Sequence, residues 1–275
     1  MASPLTSAVK GNCSVQFIDS HCHLDMAPYQ GEVTQILADA RACGITRVVS
    51  IGIDYPSSLA AIALAGQHAG VFASIGFHPH EAEAVNEQSL AQLADLAGAA
   101  KVVAYGEIGL DYAKNYAEPK VQRRAFSQQL ELAAQLDLPV IIHDREAHAD
   151  TAALIRQAGR LPQGGVMHCF SGDRAFAEEM IALGFKLSIP GVVTFKNAGM
   201  LHEVVRAIDL SHFMLETDGP FLAPVPYRGK RNQPAYLVHT AQKVAELKNV
   251  SLEEVARKTT ANTCSLFHLN HGGQS

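Results

Sequence analysis

Eight short apolar runs rich in β-branched residues recur along the 275-residue chain, and they constrain the fold more than any other feature. They are continuous rather than alternating and are separated by amphipathic stretches, as successive βα units would be. Eight such strands are the number that closes a parallel barrel, so the pattern predicts an α/β protein with a (β/α)8 TIM-barrel fold and a parallel eight-stranded core. The runs are Phe17–Asp19, Val48–Ile53, Val71–Ile75, Val102–Tyr105, Val140–Ile142, Val166–Met167, Lys186–Ile189 and Phe213–Leu215.

Helix signals lie between these runs. Val33 to Ala40 place apolar residues on one face, with Gly44 as the C-terminal cap. Pro119 is expected in a first helical turn, and Ser171 or Asp173 can cap a helix over 175–183. A doubly wound open sheet is the rival architecture, but the Gly-rich phosphate loop typical of it is missing after the early strands.

The chain shows no linker and no change of composition, which predicts one hydrolase barrel domain over residues 15–270 after a flexible extension, 1–14. Five scattered cysteines without a CxxC pair indicate a reducing, cytoplasmic setting. No secretory signal or apolar membrane span is expected. The net charge of −5 argues against a broad basic surface for duplex nucleic acid, although a local positive pocket remains compatible with it.

Polar residues cluster where the predicted strands end, and these ends converge on one face of a barrel. Six of the 13 histidines lie there, together with acidic residues: His21, His23, His78, His80, His143, His168, Glu107 and Asp218. Alternation along a strand puts the side chains of an HxH pair on one face, where both can bind one cation. The same alternation predicts that Cys22 and Cys169 point away from it.

Imidazole and carboxylate ligands without thiolates suit zinc, manganese, iron or cobalt, or magnesium with more oxygen ligands. Glu107 can bridge two divalent cations through its two oxygens, because such ions lie about 3.5–4 Å apart in two-metal sites. Asp218 can bind the first cation and accept a proton from an attacking water. A two-metal hydrolase is therefore expected, with the identity of the metal left open.

The sequence resembles the TatD family of metal-dependent deoxyribonucleases, within the amidohydrolase superfamily. The resemblance runs from about Phe17 to Leu269 and is carried by nine motifs: DSHCHLD (19–25), GFHPH (76–80), GEIGLDY (106–112), IIHDREA (141–147), HCFSG (168–172), PGVVTFKNA (190–198), ETDGPFLAP (216–224), PYRGKRNQPA (226–235) and ANTCSLFHL (261–269). It implies one metal held by His21, His23, Glu107 and Asp218, and a second held by Glu107, His143 and His168.

The resemblance further implies that Asp218 is the catalytic base and that His78 and Glu216 lie near the scissile phosphate. It implies DNA as the substrate, single-stranded or at 3′ ends, with 3′–5′ exonuclease activity commonly assayed with magnesium. No obligate protein partner and no membrane are implied.

A basic loop after the last strand, Arg228, Lys230 and Arg231, is where barrel enzymes often bind phosphate. The alternative is a solvated charged loop. Arg145 is expected either to contact phosphate or to pair with Asp111 or Asp144.

Two other functions remain open at this stage. The first is hydrolysis of a carboxylic ester, lactone, amide or aminoacyl bond by the same metal centre, since a fold does not name its substrate. The second is a non-catalytic binding module with a structural metal, although such sites are usually closed and rich in thiolates.

Overall fold

The computed structural model describes residues 15–114 and 116–269; the predicted extension 1–14 lies outside them. The eight strands form one sheet in the order β1 to β8, and every neighbouring pair is parallel. The strands are β1 (Phe17–Cys22), β2 (Ile45–Ser50), β3 (Val71–Ile75), β4 (Val102–Asp111), β5 (Val140–Arg145), β6 (Gly165–Met167), β7 (Phe185–Ile189) and β8 (Phe213–Leu215). The predicted (β/α)8 barrel is confirmed.

Helices follow the strands in alternation, and two helices follow β8. They are α1 (Val33–Ala42), α2 (Tyr55–Gln67), α3 (Glu87–Leu96), α4 (Pro119–Gln135), α5 (His148–Ala158), α6 (Arg174–Ala182), α7 (Gly199–Ala207), α8 (Leu237–Lys248) and α9 (Leu252–Leu266). Within the described ranges, no helix combines the length and the apolar character that crossing a bilayer requires.

The predicted helix ends agree closely with the structure. Gly44 follows α1 with a φ of 86°, a conformation that glycine adopts without strain. Pro119 opens α4, as expected. Of the two candidate caps for α6, Asp173 is the one used, because its carboxylate accepts a hydrogen bond from the amide of Phe176 at 2.9 Å.

Several strands differ in extent from the prediction. β1 continues through His21 to Cys22, and β4 and β5 continue to Asp111 and Arg145 because their last residues still pair with each other. β2 begins at Ile45 and ends at Ser50, earlier than predicted at both ends, and β6 and β7 each begin one residue earlier. Three site residues, His21, Glu107 and His143, therefore lie within strands, where the sheet restrains their backbones.

Alternation along the strands divides the core into two clusters on opposite faces of the sheet. Phe17, Val48 and Val140 belong to the larger cluster, which includes residues of the surrounding helices, while their neighbours Ile18 and Val49 belong to the smaller one. The smaller cluster also contains the end of α9. The apolar core thus fills the rest of the barrel and leaves the carboxyl ends of the strands, the barrel mouth, to polar side chains.

The barrel closes between β8 and β1 through residues that adjoin the candidate site. Asp218 donates its amide hydrogen to the carbonyl of His21 at 3.0 Å, and His23 donates to Gly219 at 2.8 Å. A single parallel bridge joins Cys22 to Gly219. We call this junction, residues 19–23 against 217–219, the β8–β1 seam.

Candidate metal centre

Glu107 lies at the centre of the barrel mouth, and its two carboxylate oxygens face two different sets of imidazoles. Oε2 lies 3.3 Å from His21 Nε2 and 3.8 Å from His23 Nε2. Oε1 lies 2.8 Å from His143 Nδ1 and 3.4 Å from His168 Nε2. The structure thus brings four imidazoles from the carboxyl ends of β1, β5 and β6 around one buried carboxylate of β4. The ring of His168 also stacks on that of His21, with centroids 3.6 Å apart.

The first set has the spacing of ligands around one cation. The Nε2 atoms of His21 and His23 are 3.3 Å apart, and they lie 3.8 and 3.5 Å from Asp218 Oδ1. Four ligands at about 2.1 Å in a tetrahedron are separated by about 3.4 Å. The donor set of two imidazoles and two carboxylates suits a divalent cation in its chemistry, and ligand atoms of His21, His23 and Glu107 all lie within 4.8 Å of one another.

The second set differs from the expected one: His78 joins Glu107 and His143, whereas ligand atoms of His168 group with those of His21 and Glu216. His78 Nε2 lies 3.3 Å from His143 Nδ1 and 3.5 Å from Glu107 Oε1. These three side chains form one of the groups whose ligand atoms could hold a metal ion. Whereas the resemblance implies a position for His78 near the substrate, the structure also places it within ligand distance of this set.

Carboxylates behind the imidazoles hold two of the rings in place. Asp111 Oδ2 lies 3.3 Å from His143 Nε2 and 2.9 Å from His80 Nε2. Such outer carboxylates orient metal-binding histidines and fix their tautomers. This role of Asp111 is not among the sequence-based expectations, although its position at the end of β4, four residues after Glu107, is a usable signal.

Glu216 holds His168 in the same way. Its carboxylate lies 3.1 Å from His168 Nδ1 and accepts a hydrogen bond from the amide of Cys169 at 2.8 Å. Glu216 is fully buried. Its two partners, His168 and Cys169, both directly follow β6. These contacts are those of a residue that holds an imidazole in position.

Asp19 anchors the β8–β1 seam from the other side. Its buried carboxylate accepts hydrogen bonds from Thr217 at both the amide, 2.9 Å, and the hydroxyl, 2.5 Å. Burial raises the pKa of Asp19 to about 7, against the lowering effect of these hydrogen bonds. The carboxyl of Asp19 thus holds the residue that directly precedes Asp218.

The electrostatics of the centre favour ionised carboxylates. Burial acts to raise the pKa of Glu107, but the neighbouring imidazoles outweigh it and hold that pKa well below its usual value. The pKa of Asp218 is lowered in the same manner, with His23 as the strongest opposing partner. Burial opposes the charge on His168, yet Glu216 and Glu107 raise its pKa to about 10. A divalent cation can replace protons held between such groups, because metal binding releases them.

Of the two cysteines expected to point away from the site, one does and one does not. Cys22 donates from Sγ to the carbonyl of Gly219 at 3.6 Å. Cys169 lies beyond the end of β6 with a φ of 45°, so strand alternation no longer applies to it. Its Sγ and ligand atoms of His168 and Asp218 all lie within 4.8 Å of one another. The prediction for Cys169 was wrong.

Of the cations in the basic loop after β8, Arg231 is engaged with other parts of the protein. Arg231 contacts Glu32 at 2.9 Å and the carbonyl of Pro28, and its guanidinium lies over the ring of Tyr29. The interactions of Arg231 therefore connect the loop to the start of α1.

The remaining cations face solvent. Arg228 lies over the ring of Phe195 at 4.5 Å, and Lys230 and Arg145 are exposed. Across residues 15–114 and 116–269, none of these three has a carboxylate within ion-pair distance, and Asp111 and Asp144 pair with histidines instead. The alternative in which Arg145 pairs with one of those carboxylates is not found.

Comparisons with known proteins agree with this architecture. The family model described as TatD related DNase matches residues 18–268. A Bacillus subtilis protein described as an uncharacterized metal-dependent hydrolase is 39% identical over 252 residues, covering 92% of this chain and 99% of the relative. A Cronobacter sakazakii protein described as a 3′-5′ ssDNA/RNA exonuclease is 37% identical over 259 residues, covering 92% and 98%.

A solved structure extends the likeness to three dimensions. The crystal structure of a TatD homologue from Escherichia coli K12 superposes with a TM-score of 0.87 at 32% identity, covering 92% of this chain and 98% of that one. The match of the family model over nearly the whole barrel, with the histidines and carboxylates gathered at the barrel mouth, identifies the family. This chain belongs to the TatD-related DNase family of metal-dependent hydrolases.

Proposed function

We propose that the protein hydrolyses phosphodiester bonds of DNA, removing nucleotides from single-stranded 3′ ends with the help of two divalent cations. The observation that carries the proposal is the division of Glu107, whose Oε1 and Oε2 face separate imidazole sets. The description of the Cronobacter sakazakii relative as a 3′-5′ ssDNA/RNA exonuclease supports the choice of substrate.

The proposed ligands follow the two sets. His21, His23, Glu107 and Asp218 would hold one cation, and Glu107, His143 and His168 the other, with His78 at its edge. Magnesium, manganese and zinc are all compatible with such ligands. Bound cations at these positions would lower the pKa of water and neutralise charge on the phosphoryl oxygens.

The protein's own groups would orient and transfer the proton. Asp218 is largely buried and ionised, and we assign to its carboxylate the acceptance of the proton from the attacking water. Glu216 is assigned to hold His168 in place. Arg145, Arg228 and Lys230 would bind phosphates on either side of the bond that breaks, since their charges are not neutralised by carboxylates in the described structure.

The test is product analysis on end-labelled single-stranded and duplex oligonucleotides, with and without chelator. Single-nucleotide products released from the 3′ end of the single strand, abolished by chelator, are expected. The variant Asp218→Asn should lose at least about 100-fold in kcat, the usual contribution of a general base. Asp95→Asn, an exposed aspartate on α3, is the matched control.

Two results would contradict the proposal. The first is near wild-type turnover by folded Asp218→Asn. The second is hydrolysis of carboxylic esters or lactones, but not of oligonucleotides, by the same metal-loaded preparation.

A further inference from the structure

Exposed large apolar side chains concentrate in two loops at the barrel mouth. Among the described residues, Tyr116 is 66% exposed and Phe221 is 49% exposed, and Leu222 and Val225 accompany Phe221 in the loop after β8. Tyr116 lies in the loop after β4. Aromatic rings left in water beside a polar site are a common sign of a binding surface.

The two rings adjoin different imidazoles around Glu107. The Phe221 ring is 6.0 Å, centroid to centroid, from His23, which faces Glu107 Oε2. The Tyr116 ring is 4.5 Å from His80, and the His80 ring is 4.2 Å from His78, which faces Oε1. An aromatic ring therefore lies close to each imidazole set, Phe221 next to His23 and Tyr116 next to the His80 ring that contacts His78.

The backbone of Phe221 is anchored although its ring is exposed. Its amide donates to the carbonyl of Asp218 at 2.9 Å, and its carbonyl accepts from Asn232 Nδ2 at 2.7 Å. Asn232 is fully buried and also donates to the carbonyl of Thr217. The backbone that carries the ring is thus held at the β8–β1 seam, next to Asp218.

Cations accompany both rings. Lys114 is exposed two residues before Tyr116, and Arg228 and Lys230 lie on the loop whose end Asn232 ties to Phe221. Aromatic platforms next to cations are the combination by which proteins bind unpaired nucleic-acid strands, with bases on the rings and phosphates on the cations.

We propose that Phe221 and Tyr116 stack on the two bases that flank the scissile phosphodiester. The inference rests on the proposed function. It adds the structural feature by which the enzyme would select unpaired ends. Bases within a duplex are covered on both faces by their neighbours, so two separated rings can engage only nucleotides that are unpaired and unstacked.

The test compares two substrates and four variants. One substrate is a single-stranded oligonucleotide, and the other carries base-free tetrahydrofuran residues on both sides of its 3′-terminal phosphodiester. The variants are Phe221→Leu and Tyr116→Leu, which keep apolar bulk but remove the aromatic face, Phe221→Trp, which restores it, and Leu59→Ala, an exposed apolar control on α2.

For the wild type we expect kcat/KM to be about 5- to 100-fold higher on the substrate with bases. Phe221→Leu and Tyr116→Leu should each reduce that ratio by about 5-fold or more, mainly through KM, because stacking binds ground state and transition state alike. Phe221→Trp should keep the ratio, and so should Leu59→Ala. Equal ratios in the wild type and both leucine variants would overturn the inference.

A second readout does not depend on turnover. In the Asp218→Asn background with magnesium, an oligonucleotide carrying 2-aminopurine at its 3′ end should lose fluorescence on binding, and Phe221→Leu or Tyr116→Leu should restore it. Quenching unchanged by both substitutions rejects the stacking role. If the wild-type protein cleaves neither substrate, the proposed function fails, while the quenching result still decides for or against stacking.

Discussion

Replacing Thr217 with valine removes one hydroxyl group from the β8–β1 seam at nearly constant volume. In the native protein this hydroxyl donates to Asp19 Oδ2 at 2.5 Å and accepts from the amide of Gly219 at 3.2 Å. Thr217 and Asp19 are both buried, so water cannot replace the lost partner. The substitution therefore isolates the contribution of the Asp19 anchor to stability and to the placement of Asp218.

The expected loss follows from the lost contacts. Because the pKa of Asp19 is about 7, the measurement is made above about pH 8, where its carboxyl is ionised. A hydrogen bond to a charged group contributes about 1.5–3 kcal/mol to stability, and an unsatisfied buried acceptor adds to the loss. We expect Thr217→Val to lower the free energy of unfolding by about 2–3 kcal/mol. At roughly 2–4 °C per kcal/mol for a domain of this size class, Tm should fall by about 4–12 °C. Thr217→Ser keeps the hydroxyl and should lose less than about 1 kcal/mol.

The same substitution should affect catalysis, because Asp218 follows Thr217 and has a φ of 55°, an uncommon conformation that its surroundings must maintain. We expect kcat on a single-stranded oligonucleotide to fall at least about 10-fold in Thr217→Val and less than about 3-fold in Thr217→Ser. Urea unfolding at constant metal concentration and steady-state kinetics measure the two effects. Wild-type stability together with wild-type kcat in the valine variant would refute the anchoring role.

Three further predictions concern the scaffold and the metal. Gly109→Ala should destabilise the protein by more than about 3 kcal/mol or prevent folding, because its φ is 144° and a Cβ would lie only 1.9 Å from the carbonyl oxygen of His143; Gly98→Ala, with open space around it, is the control for soluble yield and denaturant midpoint. Removing metal with chelator should lower Tm, and adding metal at about 100 times its Kd should restore about 2.7 kcal/mol; an unchanged Tm would argue against a bound cation. The hydrogen bond to Asp144 raises the pKa of His148 despite partial burial. Its stabilisation, below about 1 kcal/mol at this partly exposed site, is full below pH 6.5 and is lost as pH rises through the folded-state pKa of His148. The difference in unfolding free energy between the wild type and His148→Gln should accordingly shrink from pH 6 to pH 9, and a constant difference would contradict the assignment.

The strands could be predicted from the sequence because parallel buried strands appear as continuous apolar runs. The carboxyl ends of the strands meet at one face of a barrel, so the polar residues that follow the strands could be predicted to converge. His21 and Glu107 could therefore be grouped from the sequence although 86 positions separate them. Strand extents were less certain, since β4 extends through polar residues that resemble a loop in sequence.

Other features depend on packing that no local pattern records. The direction of Cys169 follows from a positive φ after β6, which alternation cannot anticipate. Glu216 is adjacent in sequence to the proposed catalytic residues, but only the structure shows that it holds His168. Arg231 forms an ion pair with Glu32, which lies 199 positions earlier in the chain. One of the three cations of the basic loop that were predicted to bind phosphate is therefore already paired.

The β8–β1 seam also sets the moment during synthesis at which the enzyme can become active. His21 and His23 leave the ribosome early. Their backbone hydrogen-bond partners, Asp218 and Gly219, are added only after most of the barrel. A nascent chain that ends before β8 lacks both the closing contacts and the fourth member of the first ligand set. The barrel mouth is therefore assembled only when the barrel is nearly complete.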